Sequence, residues 1–258
     1  MQCVILAGGL GTRMRAHDST MPKALFEVAG RPFTHWQLDW LASQGIDEVV
    51  YSIGHLGSMI IEAVGAGDRW GLSVHYLQED EGALLGTGGA VRHAVDSGLL
   101  GPSFFVLYGD SYLKVDLGHV HQHFEELGLE ALMTVFRNDS ILDASNVILA
   151  GGRVDRYEKG VAHPPPDMCY IDYGLTEVTA RSVEADITPG EAADLAPYLS
   201  DLARRGQLGA HVVAERFFEV GSPQGLAALE QHLASGGDLG QTTALGAPGH
   251  SRAPRCRQ

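Results

Sequence analysis

Cysteine is almost absent from this 258-residue chain: the three present, Cys3, Cys169 and Cys256, are far apart and form neither a disulfide framework nor a metal-ligand spacing. No apolar run approaches the length of a membrane span, and Met1 leads directly into a short apolar run without a signal-peptide pattern. These absences set the expectation of a cytoplasmic protein with no membrane partner. Positive charge is also scarce, with 18 Lys and Arg against 32 Asp and Glu and a formal net charge of −14. A surface of that sign disfavours a phosphate backbone, so nucleic acid is not an expected partner. Lysine is the scarcest cation, standing only at positions 23, 114 and 159 while the other basic residues are arginines. A compact ammonium and a planar guanidinium suit different sites, so the few lysines merit a role.

Glycine, by contrast, is plentiful, and its densest early cluster carries the first chemical signal. An apolar run over 3–6 reads as a buried first strand, and Leu6, Ala7, Gly8, Gly9, Gly11 and Thr12 follow it into a loop. Without side chains at 8, 9 and 11, backbone N–H groups can close around a phosphate chain. Arg13 and Lys23 supply fixed positive charge beside it. The combination points to a nucleoside triphosphate site. It is not a P-loop, because Thr12-Arg13 follows the last glycine, and not a dinucleotide fingerprint, because Met14 stands where a third glycine belongs.

Strand patterns at 4–7, 48–53, 73–77, 104–108, 131–136 and 169–173 alternate with helical patterns at 34–43, 56–64, 88–96 and 117–127. This alternation predicts an α/β fold with a mostly parallel or mixed sheet covered on both faces. Gly151-Gly152 reads as a tight hairpin, and Ser222-Pro223 as the cap of a helix running to about Leu233. Residues 1–236 are expected to form a single domain, and 237–258, which lack periodicity, a flexible tail. The strand over 104–108 ends in Gly109-Asp110, which sets a carboxylate at the carboxyl edge of the sheet. Open α/β sheets bind ligands there, and a hard oxygen ligand beside phosphates suits Mg²⁺. His119, His121 and His123 read as solvated histidines, and Trp36 and Trp40 as core packing.

Taken with Met14 and Pro22-Lys23, the glycine loop resembles the N-terminal signature of the sugar-1-phosphate nucleotidylyltransferases. Four further segments match that family in order: Gln78-Glu79-Asp80 with Gly86-Thr87-Gly88-Gly89, Gly109-Asp110, Tyr157-Glu158-Lys159 with Asp172-Tyr173-Gly174, and Phe217-Phe218-Glu219-Val220-Gly221-Ser222-Pro223. The resemblance implies a three-layer α/β/α sandwich with a Rossmann-like, mixed and mostly parallel sheet. It implies transfer of a nucleoside monophosphate from a nucleoside triphosphate to a sugar 1-phosphate, with pyrophosphate released.

By the same resemblance, Arg13 serves the leaving pyrophosphate, Lys23 the α-phosphate, and Lys159 with Glu158 the sugar phosphate. Asp110 and Glu219 hold Mg²⁺, the latter where aspartate is usual. Gln78 contacts the base, while Gly86, Thr87 and Gly88 form the nucleoside wall and a helix start whose N–H groups face the pocket. Asp172, Tyr173 and Gly174 meet the sugar, with Asp172 replacing the family's asparagine. The Gly86-Thr87-Gly88-Gly89 run is most like guanylyltransferases for mannose- or heptose-type 1-phosphates, which favours GTP. Thymidylyl- or uridylyltransferases for a hexose 1-phosphate, a molybdopterin-type guanylyltransferase and a non-catalytic nucleotide-sugar-binding relative remain as alternatives. A homo-oligomer is an expectation of analogy alone.

Overall fold

Strand β1 (Gln2–Ala7) is buried along Cys3, Val4 and Ile5, as its unbroken apolar run requires of a strand covered on both faces. The computed structural model describes residues 1–9, 20–80, 82–138 and 143–234; Gly11, Thr12, Arg13 and the stretch over 237–258 lie outside them. After a 3₁₀ turn at Lys23–Leu25 come the short strands β2 (Glu27–Val28) and β3 (Arg31–Pro32). Then follow α1 (Phe33–Ser43), β4 (Glu48–Ile53), α2 (Gly57–Val64), β5 (Ser73–Gln78), α3 (Gly86–Asp96), β6 (Ser103–Tyr108), β7 (Ser111–Tyr112) and α4 (Leu117–Leu127). The chain continues through β8 (Ala131–Arg137), β9 (Val147–Ala150), β10 (Arg153–Tyr157), β11 (Tyr170–Thr179), α5 (Ala180–Asp186), α6 (Leu195–Arg204), β12 (Leu208–Val213), β13 (Phe218–Glu219) and α7 (Pro223–Ala234).

Nine strands make one sheet in the order β5-β4-β1-β6-β11-β8-β12-β10-β9. The pairings β5–β4, β4–β1, β1–β6 and β8–β12 are parallel, and only β11 and β10 run against the rest. The sheet is therefore mixed and mostly parallel in direction. One face is packed by α3, α5 and α6 through Val91, Ala94, Val183, Leu199 and Leu202. The other is packed by α1, α2 and α4 through Leu38, Leu41, Ile60, Leu117, Val120 and Phe124. Helix α4 shows why such faces form: Leu117, Val120 and Phe124 recur on one stripe, and Asp116 caps the helix by accepting from His119 N at 2.9 Å. Trp40 is core, whereas Trp36 sits half-buried under Arg31, 4.2 Å from its ring.

The hairpin at Gly151-Gly152 forms with both residues at positive φ, 58° and 80°, joining β9 to β10. Strand β11 runs well past residue 173, and its pairing with β8 shifts register between Asp172 and Thr176. Gly174, at φ 93°, sits inside that bulge. Cys3 is a free, buried thiol.

Candidate active site

The carboxyl ends of the parallel strands open into a cavity of about 470 Å³. Leu6, Ala7, Gly8 and Gly9 leave β1 to form one wall, and Gly86 and Thr87 at the start of α3 face them. A Cβ on Gly8 would stand 2.6 Å from Glu79 Oε1 and displace that carboxylate, and a Cβ on Gly54 would stand 2.6 Å from the backbone oxygen of Gly8. Glu79 is buried at 6% exposure and lines the cavity. Its oxygens accept from Ser52 Oγ at 2.8 Å and Leu85 N at 2.9 Å.

Lys23, Asp110 and Glu219 converge beside this wall. Strands β7 and β13 pair antiparallel, Phe218 with Tyr112 and Glu219 with Ser111, and Val220 N donates to Asp110 O at 2.9 Å. That ribbon brings the two carboxylates together although they are far apart in sequence. Lys23 Nζ lies 3.2 Å from Asp110 Oδ2. A Cβ on Gly221 would sit 3.0 Å from both Asp110 Oδ2 and Glu219 Oε2 and 3.4 Å from Lys23 Nζ. The two acids thus face a common point, and Ser222 Oγ donates to the other oxygen of Glu219 at 3.0 Å.

The same cavity is lined by Lys159, Asp172, Tyr173 and Gly174, joined by Tyr108, Asn146 and Tyr157. Asp172 accepts from Gly174 N at 2.9 Å and from Tyr157 Oη at 3.1 Å, while its own N–H donates to Asn146 Oδ1 at 2.9 Å. Burial pushes the Asp172 carboxyl above the usual carboxylate range, partly offset by those donors and by Lys159. Lys159 Nζ lies over the Tyr108 ring, 5.6 Å from its centre. Burial, reinforced by Asp172, raises the hydroxyls of Tyr108 and Tyr157, so both remain protonated donors.

Three expected residues stand outside this lining. Gln78 turns its amide to Gly54 O at 3.0 Å and Glu79 O at 3.2 Å, a purely local bracing role. Gly88 packs on the backbone of Asp194, and its N–H, like that of Gly89, donates to Ala193 O, at 2.7 and 3.1 Å. The start of α3 therefore spends those donors on the chain itself, not on the pocket. Thr87 does line the cavity, but its Oγ1 accepts from Leu195 N at 2.8 Å. Glu158 lies on the surface, paired with Arg156. Tyr173 lines the cavity but is buried, and its hydroxyl accepts from Lys114 N at 3.1 Å. Glu79, Tyr108, Asn146 and Tyr157 were not foreseen; the one advance signal was an acid directly after Gln78 at a strand end.

Among the described residues no group of three or more His, Cys, Asp or Glu is placed to hold a metal ion. The convergent pair Asp110 and Glu219 nevertheless suits Mg²⁺, which commonly takes one or two carboxylates and completes its shell from phosphates and water. The solvated histidines meet an unforeseen partner: His123 Nδ1 lies 3.2 Å from Nδ1 of His211 on β12.

A glycine wall, a lysine and two acids thus line one cavity at the carboxyl ends of the parallel strands, where open α/β sheets bind ligands. The chain belongs to the nucleotidyl transferase family, whose model matches residues 2–142. It is 38% identical over 116 residues to N-acetylmuramate alpha-1-phosphate uridylyltransferase of Neisseria meningitidis, covering 45% of this chain and 49% of that protein. It is 37% identical over 118 residues to D-glycero-alpha-D-manno-heptose 1-phosphate guanylyltransferase of Aneurinibacillus thermoaerophilus, with coverage of 45% and 49%. A longer match, 29% over 211 residues, joins it to glucose-1-phosphate thymidylyltransferase of Streptomyces griseus, covering 79% of this chain and 58% of that one. The chain thus spans about half the length of these curated relatives. The crystal structure of HddC from Yersinia pseudotuberculosis shares the fold, with a TM-score of 0.74 at 24% identity over 90% of this chain and 99% of that one. No helix among the described residues is long and apolar enough to cross a membrane.

Proposed function

We propose that the chain is a sugar-1-phosphate nucleotidylyltransferase that joins the nucleoside monophosphate of GTP to a heptose- or mannose-type sugar 1-phosphate and releases pyrophosphate. The observation that carries this reading is that Lys23, Asp110, Glu219 and Lys159 all line a single cavity, in which Lys23 Nζ lies 3.2 Å from Asp110 Oδ2 and the two acids face a common point. Two anions must meet there, and the chain is otherwise strongly acidic, so these lysines supply local charge against the protein's own field.

In the reaction, a phosphate oxygen of the sugar phosphate forms a bond to the α-phosphorus as the bond to pyrophosphate breaks. The attacking oxygen is already anionic, so no strong general base is needed, and the barrier is mainly repulsion and misalignment. Lys159 holds the sugar phosphate and Lys23 the α-phosphate, while Arg13, assigned by family resemblance, serves the pyrophosphate. Asp110 and Glu219 would hold Mg²⁺, which neutralises phosphate charge and fixes geometry when bound. Asp172 and the hydroxyls of Tyr108 and Tyr157 offer an acceptor and donors to the sugar.

Glu79 supports the choice of base. A carboxylate has about four lone-pair sites, and Ser52 and Leu85 take one on each oxygen. The remainder match the adjacent N1–H and N2–H₂ donors of guanine; uracil and thymine offer a single N3–H donor, flanked by carbonyl oxygens that would repel the same acid. Pyrophosphate release across GTP, dTTP, UTP, CTP and ATP, each crossed with several sugar 1-phosphates with and without Mg²⁺, tests the whole reading. Metal-dependent release with GTP is expected. Release with UTP or dTTP alone would overturn the base, and nucleotide binding without any release would place the chain among non-catalytic relatives.

A further inference from the structure

Gln37 is a polar side chain at 0% exposure in the middle of α1, and nothing in the chemistry so far uses it. Its Nε2 donates to Ser111 O at 2.8 Å and to Tyr108 O at 3.2 Å. Those two carbonyls flank Gly109 and Asp110, so one carboxamide spans the turn that carries the acid. The match is stoichiometric: an NH₂ group has two hydrogens, and each meets one carbonyl. The two acceptors also fix which end of the amide points at the turn. Its Oε1 is left buried with no hydrogen-bond partner.

A leucine or methionine would fill the same volume without an orphaned oxygen, whose burial is costly. Retaining the amide makes sense where its donors hold something that apolar packing cannot. The rest of the turn is held one bond at a time: Gly109 N donates to Leu6 O at 3.0 Å, and Asp110 O accepts from Val220 N at 2.9 Å. The carbonyls of residues 108 and 111 would otherwise leave the turn without a tie to α1.

The geometry points to Gln37 as the positioning residue of Asp110: by clamping Tyr108 O and Ser111 O it fixes the carboxylate where Glu219 and Lys23 meet it. The role of Asp110 as a metal carboxylate rests on the proposed function; the clamp itself does not. Removing an outer partner of a metal ligand typically weakens the metal by about 10- to 100-fold.

The test compares wild type with Gln37→Met, which keeps volume and loses both donors, and Gln37→Glu, which keeps shape but sets an acceptor against two carbonyls. Mn²⁺ binding in the presence of GTP is followed by electron paramagnetic resonance, and exchange of the Val220 amide by hydrogen–deuterium measurements. Both variants should bind Mn²⁺ about 10- to 100-fold more weakly and exchange faster at Val220. Excess Mg²⁺ should restore much of their turnover, giving a shift in metal demand more than in kcat. Unchanged Mn²⁺ affinity in a folded variant, or unchanged Val220 exchange, would overturn the clamp. A Gln37→Glu protein that behaves as wild type would do so too, since shape alone would then suffice. If wild type binds no Mn²⁺ and releases no pyrophosphate, the functional reading fails, while Val220 exchange still decides the clamp. Should Gln37→Met not fold, Gln37→Asn, which keeps a shorter donor pair, should show the same faster exchange.

Discussion

The sheet has two halves that build the cavity by different means. In β5-β4-β1-β6 every strand runs the same way, and ligand-facing residues follow the strand ends: Gly8 after β1, Glu79 after β5 and Asp110 after β6. The wall there is mostly backbone, with Gly54 against Gly8 O and Gly109 against Leu6 O at 2.6 and 2.8 Å for a notional Cβ. From β11 outward the directions are mixed and side chains make the site: Asp172 from a strand bulge, Lys159 after β10, Glu219 from a two-stranded ribbon. The family model matches residues 2–142, which contain the first half. Under the proposed function, the backbone wall would meet the phosphates that all nucleoside triphosphates share, with Glu79 left to read the base, whereas side chains on the bulge would meet the sugar.

The sharpest test of that division removes one acid from the first half. Asp110→Asn should lower kcat by about 10²- to 10³-fold, the scale for losing one aligned electrostatic element, with the melting temperature nearly unchanged. Turnover within threefold of wild type would move the metal chemistry away from this edge. Lys159→Ala in the second half should instead raise KM for the sugar phosphate by about 10- to 100-fold, the worth of one charged hydrogen bond. KM for the nucleotide should stay constant. An equal rise in both would merge the halves.

The first half was the more legible in sequence, for a physical reason. An apolar run followed by glycine marks a parallel strand and its ligand-binding end together, so β1 and β6 with Gly8, Gly9 and Asp110 could be placed directly. Gln78, named by family resemblance, turns its amide to Gly54 O, whereas the next residue, Glu79, lines the cavity; successive residues at a strand end point to opposite faces, so one position decides which side chain enters. In the second half, β11 was read as ending at 173, since Gly174 resembles a break; it is a bulge, and the strand continues to Thr179. Helix α6 went unforeseen because Pro197 lies inside it. The proline falls in the first turn, where a missing N–H costs nothing. The ribbon that pairs Glu219 with Ser111 has only two residues per strand, too short for any periodicity to show.

Glycine substitutions extend the comparison to stability. Gly109→Ala forces a Cβ to 2.8 Å from a fixed carbonyl oxygen, and overpacking against backbone should destabilise by about 2–3 kcal/mol. Gly174→Ala meets only Ser111 Oγ at 3.0 Å, a group that rotates, so its cost is mainly the positive φ, about 1–2 kcal/mol. Urea midpoints at constant m-value would rank the two. A larger loss at Gly174 would mean that the side-chain half is the stiffer one.

The smallest expected effect concerns protons, and it belongs to the second half. His211 on β12 is held down to a pKa of about 4, first by burial and then by His123 and His119, with Asp116 opposing. It is therefore neutral in the folded protein, while the unfolded chain takes up a proton near the ordinary value of 6.5. Between those values the unfolded state binds more protons, so stability is complete above pH 6.5 and falls as pH drops toward 4. The share from His211 is roughly 1–2 kcal/mol after allowing for partial exposure. His211→Gln removes that share while keeping a polar side chain. Its stability deficit relative to wild type, read from urea midpoints, should shrink by that amount as pH is lowered from 7 to 4.5. A deficit independent of pH would show that His211 is not held neutral by its surroundings in the folded protein.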